Sequence, residues 1–458
     1  MKRTSLSRIA LTVALLSLAP TFLPAAAVSS LSKTLTLGVD DDASIAIANK
    51  SGWIIGGTTF ESSESSTVFA DRPLGGSDMW VSSLDGALVP AWTHRIGTAQ
   101  DDIFGGTTLD LNGNIWLIGA SQSESATTTP VVMTTPAPPT ITPGNNPITV
   151  NPDGVSLSSP LVAPPRPLSQ LIIQGLRSDG SALLKTNISF GAKYSVLPTG
   201  VVSDATGLWI AGTVLTLESK ALRGFYLNCD FALQCKAPIY LGKSGTSIRT
   251  IALSAGNLLV AGSTTDVWKG KPAIGKVDAL ALVINSKSGL ILQTQRSGNS
   301  GTRRSWESGA FANGEAVLAG TVDYGKKMEI VTTTFSKVTS SKVGAVVSTA
   351  RWLGSPRVAL CPRAGGALEL AFSTTPSELK AIAPQAKGVA LDALSLNLSA
   401  SKSGKRTLNT SHVTPRAGEQ LLLALGANPT GVLLISGSTG GQLWLDFYPD
   451  SGSGAVKR

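Results

Sequence analysis

The sequence predicts an all-β fold, a seven-bladed β-propeller of four-stranded antiparallel blades, and three observations carry that expectation. One phrase, a polar turn, a short apolar strand and a Gly-Ser/Thr ending, recurs seven times. The stretches between copies alternate with the period of two that belongs to strands, and none holds a convincing helical period. The seventh unit stops one strand short, and a lone strand-like stretch near the N-terminus, residues 33–38, is left over to supply it.

The clearest copy runs Asn112, Gly113, Asn114, Ile115, Trp116, Leu117, Ile118, Gly119, Ala120, Ser121. Others end at Gly57-Thr58, Gly212-Thr213, Gly262-Ser263, Gly320-Thr321, a degenerate Phe372-Ser373, and Gly437-Ser438. From Gly57 to Gly437 the copies cover 380 residues in six intervals, a spacing of about 63, against roughly 40–50 in common propeller repeats.

In chain order, Lys2, Arg3 and Arg8, an apolar run over residues 9–18 and Ala25, Ala26, Ala27 read as a secretory signal over residues 1–27. Pro20 and Pro24 cut the run short of the roughly 18 apolar residues that a membrane helix needs. A single propeller domain over residues 28–458 is expected, secreted or held at the cell envelope, without a transmembrane segment and monomeric. Its first unit should hold strands over residues 44–48, 53–58, 78–84 and 91–97. Residues 124–167 hold 11 of the 25 prolines, which remove ladder donors, so this stretch reads as a flexible insertion between the second and third strands of unit two. Residues 33–38 should pair with residues 442–448 and complete the seventh blade, hiding two open sheet edges.

Charged residues are 15% of the chain, against roughly 25% in an average globular protein. Loss of Lys2, Arg3 and Arg8 with the leader lowers the formal charge from +9 to +6, a weak preference for anionic partners and no case for nucleic acid. Of three cysteines, Cys229 and Cys235 stand close enough to form a hairpin disulfide in an exported protein, which leaves Cys361 as a buried thiol in an apolar strand.

The phrase D-x-x-G-N-x-W/Y-x-x-G-x-T, carried best by residues 110–121 and next by residues 204–213, resembles the short β-propeller repeats of exported bacterial proteins, the SBBP-like group. Phe372 at the glycine position makes the sixth unit the most divergent. The resemblance implies a propeller and export; it implies no activity, because one architecture carries unrelated functions.

Residues for chemistry are sparse. His94 and His412 are the only histidines, each on an expected fourth strand, and no H-E-x-x-H, G-x-S-x-G or complete phosphate loop occurs, so neither a catalytic set nor a metal centre is expected. Asp40, Asp41, Asp42, Asp101 and Asp102 stand before two inner strands, where their oxygens are the chain's candidate donors for Ca²⁺; lacking a D-x-D-x-D-G loop, they read first as loop charges. Trp53, Trp116 and Trp209 read as one repeated packing position, and Trp92, Trp268, Trp306 and Trp352 as candidates for a sugar platform.

Roughly fifteen residues before each Gly-Ser/Thr ending, the approaches to the inner strands present Asp42 and Asp102 in units one and two, then Arg249, Arg303 with Arg304, Arg357 and Arg416 in units four to seven. Gathered on one face, these would make a funnel acidic on one arc and basic on the other, and arginine's planar fork suits carboxylate and phosphate. The functional expectation is therefore a non-catalytic binding or scaffolding protein at the cell surface, recognising an anionic envelope polymer, glycan or protein. The alternative is a propeller-fold lyase or glycosidase acting on a polysaccharide.

Overall fold

A computed structural model of the chain describes residues 30–37, 41–50, 52–60, 69, 71–122, 167–335, 341–347, 358–363, 366–382, 392–400, 406–437 and 442–450. They form seven four-stranded antiparallel sheets, each ordered from the inner to the outer strand. After β1 (Leu31–Thr36), blade 1 is β2 (Ile45–Ala48), β3 (Gly52–Phe60), β4 (Ser77–Asp85) and β5 (Pro90–Ile96). Blade 2 is β6 (Asp102–Leu109), β7 (Ile115–Ser121), β8 (Gln170–Leu176) and β9 (Ala182–Ser189). Blade 3 is β10 (Tyr194–Ser203), β11 (Gly207–Thr216), β12 (Leu222–Asp230) and β13 (Ile239–Leu241). Blade 4 is β14 (Thr246–Ser254), β15 (Asn257–Thr264), β16 (Asp278–Asn285) and β17 (Ile291–Ser297). Blade 5 is β18 (Arg303–Ala312), β19 (Glu315–Asp323), β20 (Lys327–Thr334) and β21 (Ser341–Val347). Blade 6 is β22 (Val358–Pro362), β23 (Leu368–Thr374), β24 (Asp392–Ala400) and β25 (Arg406–Val413). Blade 7 contains β26 (Leu421–Asn428), β27 (Gly431–Gly437) and β28 (Gln442–Pro449). β1 lies antiparallel on β28 as the fourth strand of that sheet, Leu31 opposite Phe447 and Thr36 opposite Gln442.

The core lies between blades. Seven apolar clusters fill seven interfaces, among them Leu37, Ala46 and Trp53 of the N-terminal part with Leu423, Leu433 and Leu445 of blade 7. Both faces of a blade are thus covered, and the central strands read as continuous apolar runs such as Ile115–Ser121, buried along its whole length.

A bulge explains the repeated glycine and hydroxyl. The inner strands of blades 2, 3, 4, 5 and 7 each carry one extra residue at the same height: Gly105, Thr199, Arg249, Glu307 and Leu423. The bulge brings the inner strand's backbone against the second strand, where a Cβ on Gly212 would meet the Leu197 carbonyl oxygen at 2.5 Å and one on Gly262 the Ser247 oxygen at 2.0 Å. In blade 6, Val358 and Ala359 pair in unbroken register with Phe372 and Ala371, so the larger side chain is tolerated. Blade 7 is the exception, with Ser436 opposite its bulge. The amide just before the extra residue turns to the preceding blade. Phe104 N–H donates to Thr58 Oγ1 at 3.1 Å, Ile248 N–H to Thr213 Oγ1 at 2.9 Å, and Leu422 N–H to Ser373 Oγ at 2.7 Å. The Gly-Thr ending is therefore a backbone clearance followed by an inter-blade acceptor.

Three sequence expectations need correction or placing. Trp53 stands one residue earlier than Trp116 and Trp209 relative to the anchor glycine, and a one-residue offset sends a strand side chain to the other face. Trp53 accordingly packs toward blade 7, whereas Trp116 faces blade 3 and Trp209 faces blade 4. A helix, α1 (Pro376–Ile382), follows β23 where none was expected; Pro376 opens its first turn and Leu379 is buried in the blade 5–6 core. The insertion falls between β7 and β8, and its residues 124–166 lie outside the described residues.

Cys229 and Cys235 are joined, tying the end of β12 to the turn that follows it. Cys361 in β22 is free and half-buried, and burial pushes its thiol up to about 12. Among the described residues, no helix is long and apolar enough to cross a membrane.

Candidate functional site

The seven inner strands surround a central channel that holds a cavity of ≈ 360 Å³. The bulges of blades 3, 4 and 5 aim Thr199, Arg249 and Glu307 into it, the blade 2 bulge lines it with the backbone of Gly105, and Ser44 just ahead of β2 completes the row, whereas Leu423 of the blade 7 bulge packs in the core against blade 1. The rest of the wall mixes apolar residues, including Phe104, Pro198 and Ile251, with hydroxyl residues such as Thr58, Thr107, Thr250 and Ser308, and the charged groups on it are Asp42, Arg249 and Glu307. Arg249 is exposed and Glu307 half-buried. Among the described residues no ion pair joins them, and neither side chain has a hydrogen-bond partner.

Asp42 is held more tightly. Its Oδ1 accepts from the Thr58 amide at 2.7 Å and from Ser44 Oγ at 3.3 Å, while its backbone oxygen accepts from Trp80 Nε1 at 2.8 Å. Both side-chain bonds end on one oxygen. Burial pushes the carboxyl up to about 6, the two hydrogen bonds oppose the shift, and the neighbouring Asp41 adds to it.

Of the seven residues expected at the funnel, Asp42 and Arg249 line the channel together. Arg303 is exposed at the start of β18 and lies outside the lining. Arg304 is 6% exposed, donates to Ser297 Oγ at 2.8 Å and sits over the Trp306 ring. Arg416 forks onto Asp446 at 2.7 and 2.9 Å, bonds Gln420 and Thr414, covers Trp444, and reaches Ser32 of β1 at 3.1 Å. It is a staple inside blade 7. Asp102 is buried and accepts from the amide and hydroxyl of Thr98; burial raises its proton affinity. Arg357 lies outside the described residues.

The carboxylates considered for Ca²⁺ are engaged by protein donors. Asp41 takes Thr59 Oγ1 and the Phe60 amide, and Asp101 takes Gln122 Nε2 at 2.6 Å; Asp40 lies outside the described residues. Among the tryptophans considered for a sugar platform, Trp306 is buried, Trp92 stacks on His94, Trp268 is half-buried against blade 4, and Trp352 lies outside the described residues.

Glu307 is the residue that sequence reasoning missed, and a signal for it exists. Ser44, Thr199, Arg249 and Glu307 each stand 13 residues before Gly57, Gly212, Gly262 and Gly320. A fixed count from the anchor glycine selects the channel row, whereas a window of roughly fifteen slides onto Arg303 and Arg304, which face elsewhere.

A larger cavity of ≈ 730 Å³ lies at the opposite face, between the turns that leave the inner strands of blades 7, 1 and 2. Its polar side chains hold their own turns: Asn49 accepts from the Gly52 amide, Asp110 from Asn112 and Asn114, and Asn428 from Thr430 and Gly431. The channel, with two side chains committed to nothing, is the better candidate.

Fold and channel define a seven-bladed β-propeller with a polar row around its axis. No protein-family model and no curated protein matches the chain. Among solved structures it is similar to a subtype N10 neuraminidase-like protein of A/little yellow-shouldered bat/Guatemala/060/2010, with a TM-score of 0.38 and 9% identity over 76% of this chain and 94% of that one.

Proposed function

We propose that this chain is an exported, non-catalytic binding or scaffolding propeller of the cell surface, akin to the bacterial repeat proteins its phrase resembles, and that an anionic envelope polymer or glycan engages its central channel. The observation that carries the reading is Arg249: an exposed guanidinium on a bulge, lining the channel, without a partner among the described residues. Its planar fork is open to a carboxylate or phosphate in charge-assisted, bidentate hydrogen bonds. The contrast with Arg304 and Arg416, whose guanidinium groups are engaged from within the fold by Ser297 and Asp446, singles Arg249 out.

Retention of the purified chain on anionic envelope polysaccharide tests this. Wild type should be retained at low salt and released as ionic strength rises, since exposed charge contacts are screened. Arg249→Ala should elute early at low salt. Equal retention of the variant removes the channel from consideration.

A second reading, a polysaccharide lyase or glycosidase, is favoured by one observation: Asp42, its carboxyl pushed up to about 6, and Glu307 lie on the same channel. Acid-base chemistry on a glycosidic bond uses a pair of carboxyl groups. Release of reducing ends or unsaturated products from the retained polysaccharide, abolished in Glu307→Gln, decides for the enzyme; retention without product decides for binding.

A further inference from the structure

The charged pair on blades 4 and 5 says more about the ligand than its sign. Arg249 on β14 and Glu307 on β18 occupy the same bulge position on neighbouring inner strands that pack against each other. One is a fork of donors and the other is an acceptor. They line the same wall without pairing, so each keeps its hydrogen-bonding capacity for something else. In a ring of seven, blade 1 lies across the axis from blades 4 and 5, which sets Ser44 and Asp42 opposite the pair.

This arrangement is selective among anions. A group carrying two charges, docked on Arg249, would also face the carboxylates of Glu307 and Asp42. A single carboxylate neutralises Arg249, and hydroxyl groups beside it donate to Glu307. Size narrows the choice further, because ≈ 360 Å³ lies at the small end of ligand pockets, roughly 300–1,000 Å³. The apolar part of the wall, including Phe104, Pro198 and Ile251, suits the C–H face of a sugar ring.

We propose, resting on the binding reading above, that the channel captures one carboxylated, hydroxyl-rich unit of mono- or disaccharide size, a free or chain-terminal hexuronate, with Arg249 on its carboxylate and Glu307 on its hydroxyls.

Calorimetric titration of the purified chain with glucuronate, glucose and glucose 6-phosphate tests the assignment. Glucuronate should bind, and the neutral sugar and the sugar phosphate should bind at least about tenfold more weakly. Arg249→Ala should lose glucuronate binding by about tenfold or more, the usual scale for removing a charged hydrogen-bonding group. Glu307→Gln should narrow the gap between glucuronate and glucose 6-phosphate by relieving the repulsion. Melting curves matching wild type certify the fold of both variants. Glucose 6-phosphate binding as tightly as glucuronate in wild type overturns the proposal, as does an unaltered Arg249→Ala. Retention of polysaccharide that depends on Arg249, without glucuronate binding, overturns the acidic-sugar assignment alone; retention that ignores Arg249 overturns the binding reading with it.

Discussion

Asp42→Asn should stabilise this protein at neutral pH and leave it unchanged in acid. The native carboxyl titrates near 6 instead of 3.8 because burial disfavours its charged form. Between those values the folded chain holds a proton that the unfolded chain has released, so stability falls as pH rises through the window and the deficit is complete above it. A shift of roughly two units corresponds to about 3 kcal/mol. Asp42 is only half-buried, and solvent screening of such a group sets the expected gain at about 1–3 kcal/mol. Asparagine removes the charge while keeping the geometry, since Thr58 and Ser44 both donate to Oδ1 and the amide nitrogen replaces the protonated Oδ2. For a chain of this size the unfolding entropy is roughly 0.9 kcal/mol/K, so the gain appears as a rise in Tm of about 1–3 °C. Thermal melts of wild type and variant at pH 7.5 and pH 3.5 make the comparison. A positive shift at pH 7.5 that vanishes at pH 3.5 is expected. Equal shifts at both pH values, or a loss at pH 7.5, would refute an Asp42 carboxyl whose proton affinity is raised by burial.

Three further outcomes follow from the packing. Deleting residues 31–36 strips β28 of its neighbour and of the Ser32–Arg416 contact, so the truncated chain should melt lower and aggregate at its open edge; a melt like that of the parent contradicts a closing role for β1. Thr213→Val leaves the Ile248 amide without its acceptor inside the blade 3–4 interface and should cost about 1–3 kcal/mol in denaturant unfolding, where an unchanged midpoint would show the hydroxyl to be dispensable. Thiol titration of the unfolded, unreduced chain should find one free cysteine, Cys361, and replacing Cys229 and Cys235 with serine should lower stability by about 2 kcal/mol, the scale for so short a loop; three titratable thiols would contradict the pairing.

Blade number, strand order and the strands of blade 1 were legible in the sequence because they rest on periodicity and on turns, which are local. The anchor glycine and hydroxyl were visible as a phrase, but their reason was not: a clearance for a bulged backbone and an acceptor for the next blade are contacts between distant strands. Trp53 was misplaced because aligning by residue type ignored the single-residue offset that decides which face a strand side chain takes. The same arithmetic governs the site. Arg249 was found and Glu307 was not, although both stand 13 residues before their glycines. Arg304 and Arg416 resemble Arg249 in sequence, and only the structure distinguishes guanidinium groups engaged by Ser297 and Asp446 from one left open. Helix α1 was invisible because its seven residues are too few to display a period.

Arginine footprinting reads the central claim directly. The purified chain is treated with phenylglyoxal at low salt, with and without saturating anionic envelope polysaccharide, and modification at each arginine is quantified by mass spectrometry. Arg249 should react in the free chain and be protected by the glycan, while exposed Arg303, outside the channel lining, reacts equally in both. Arg249 modified at the same rate with and without glycan would contradict a ligand site in the channel.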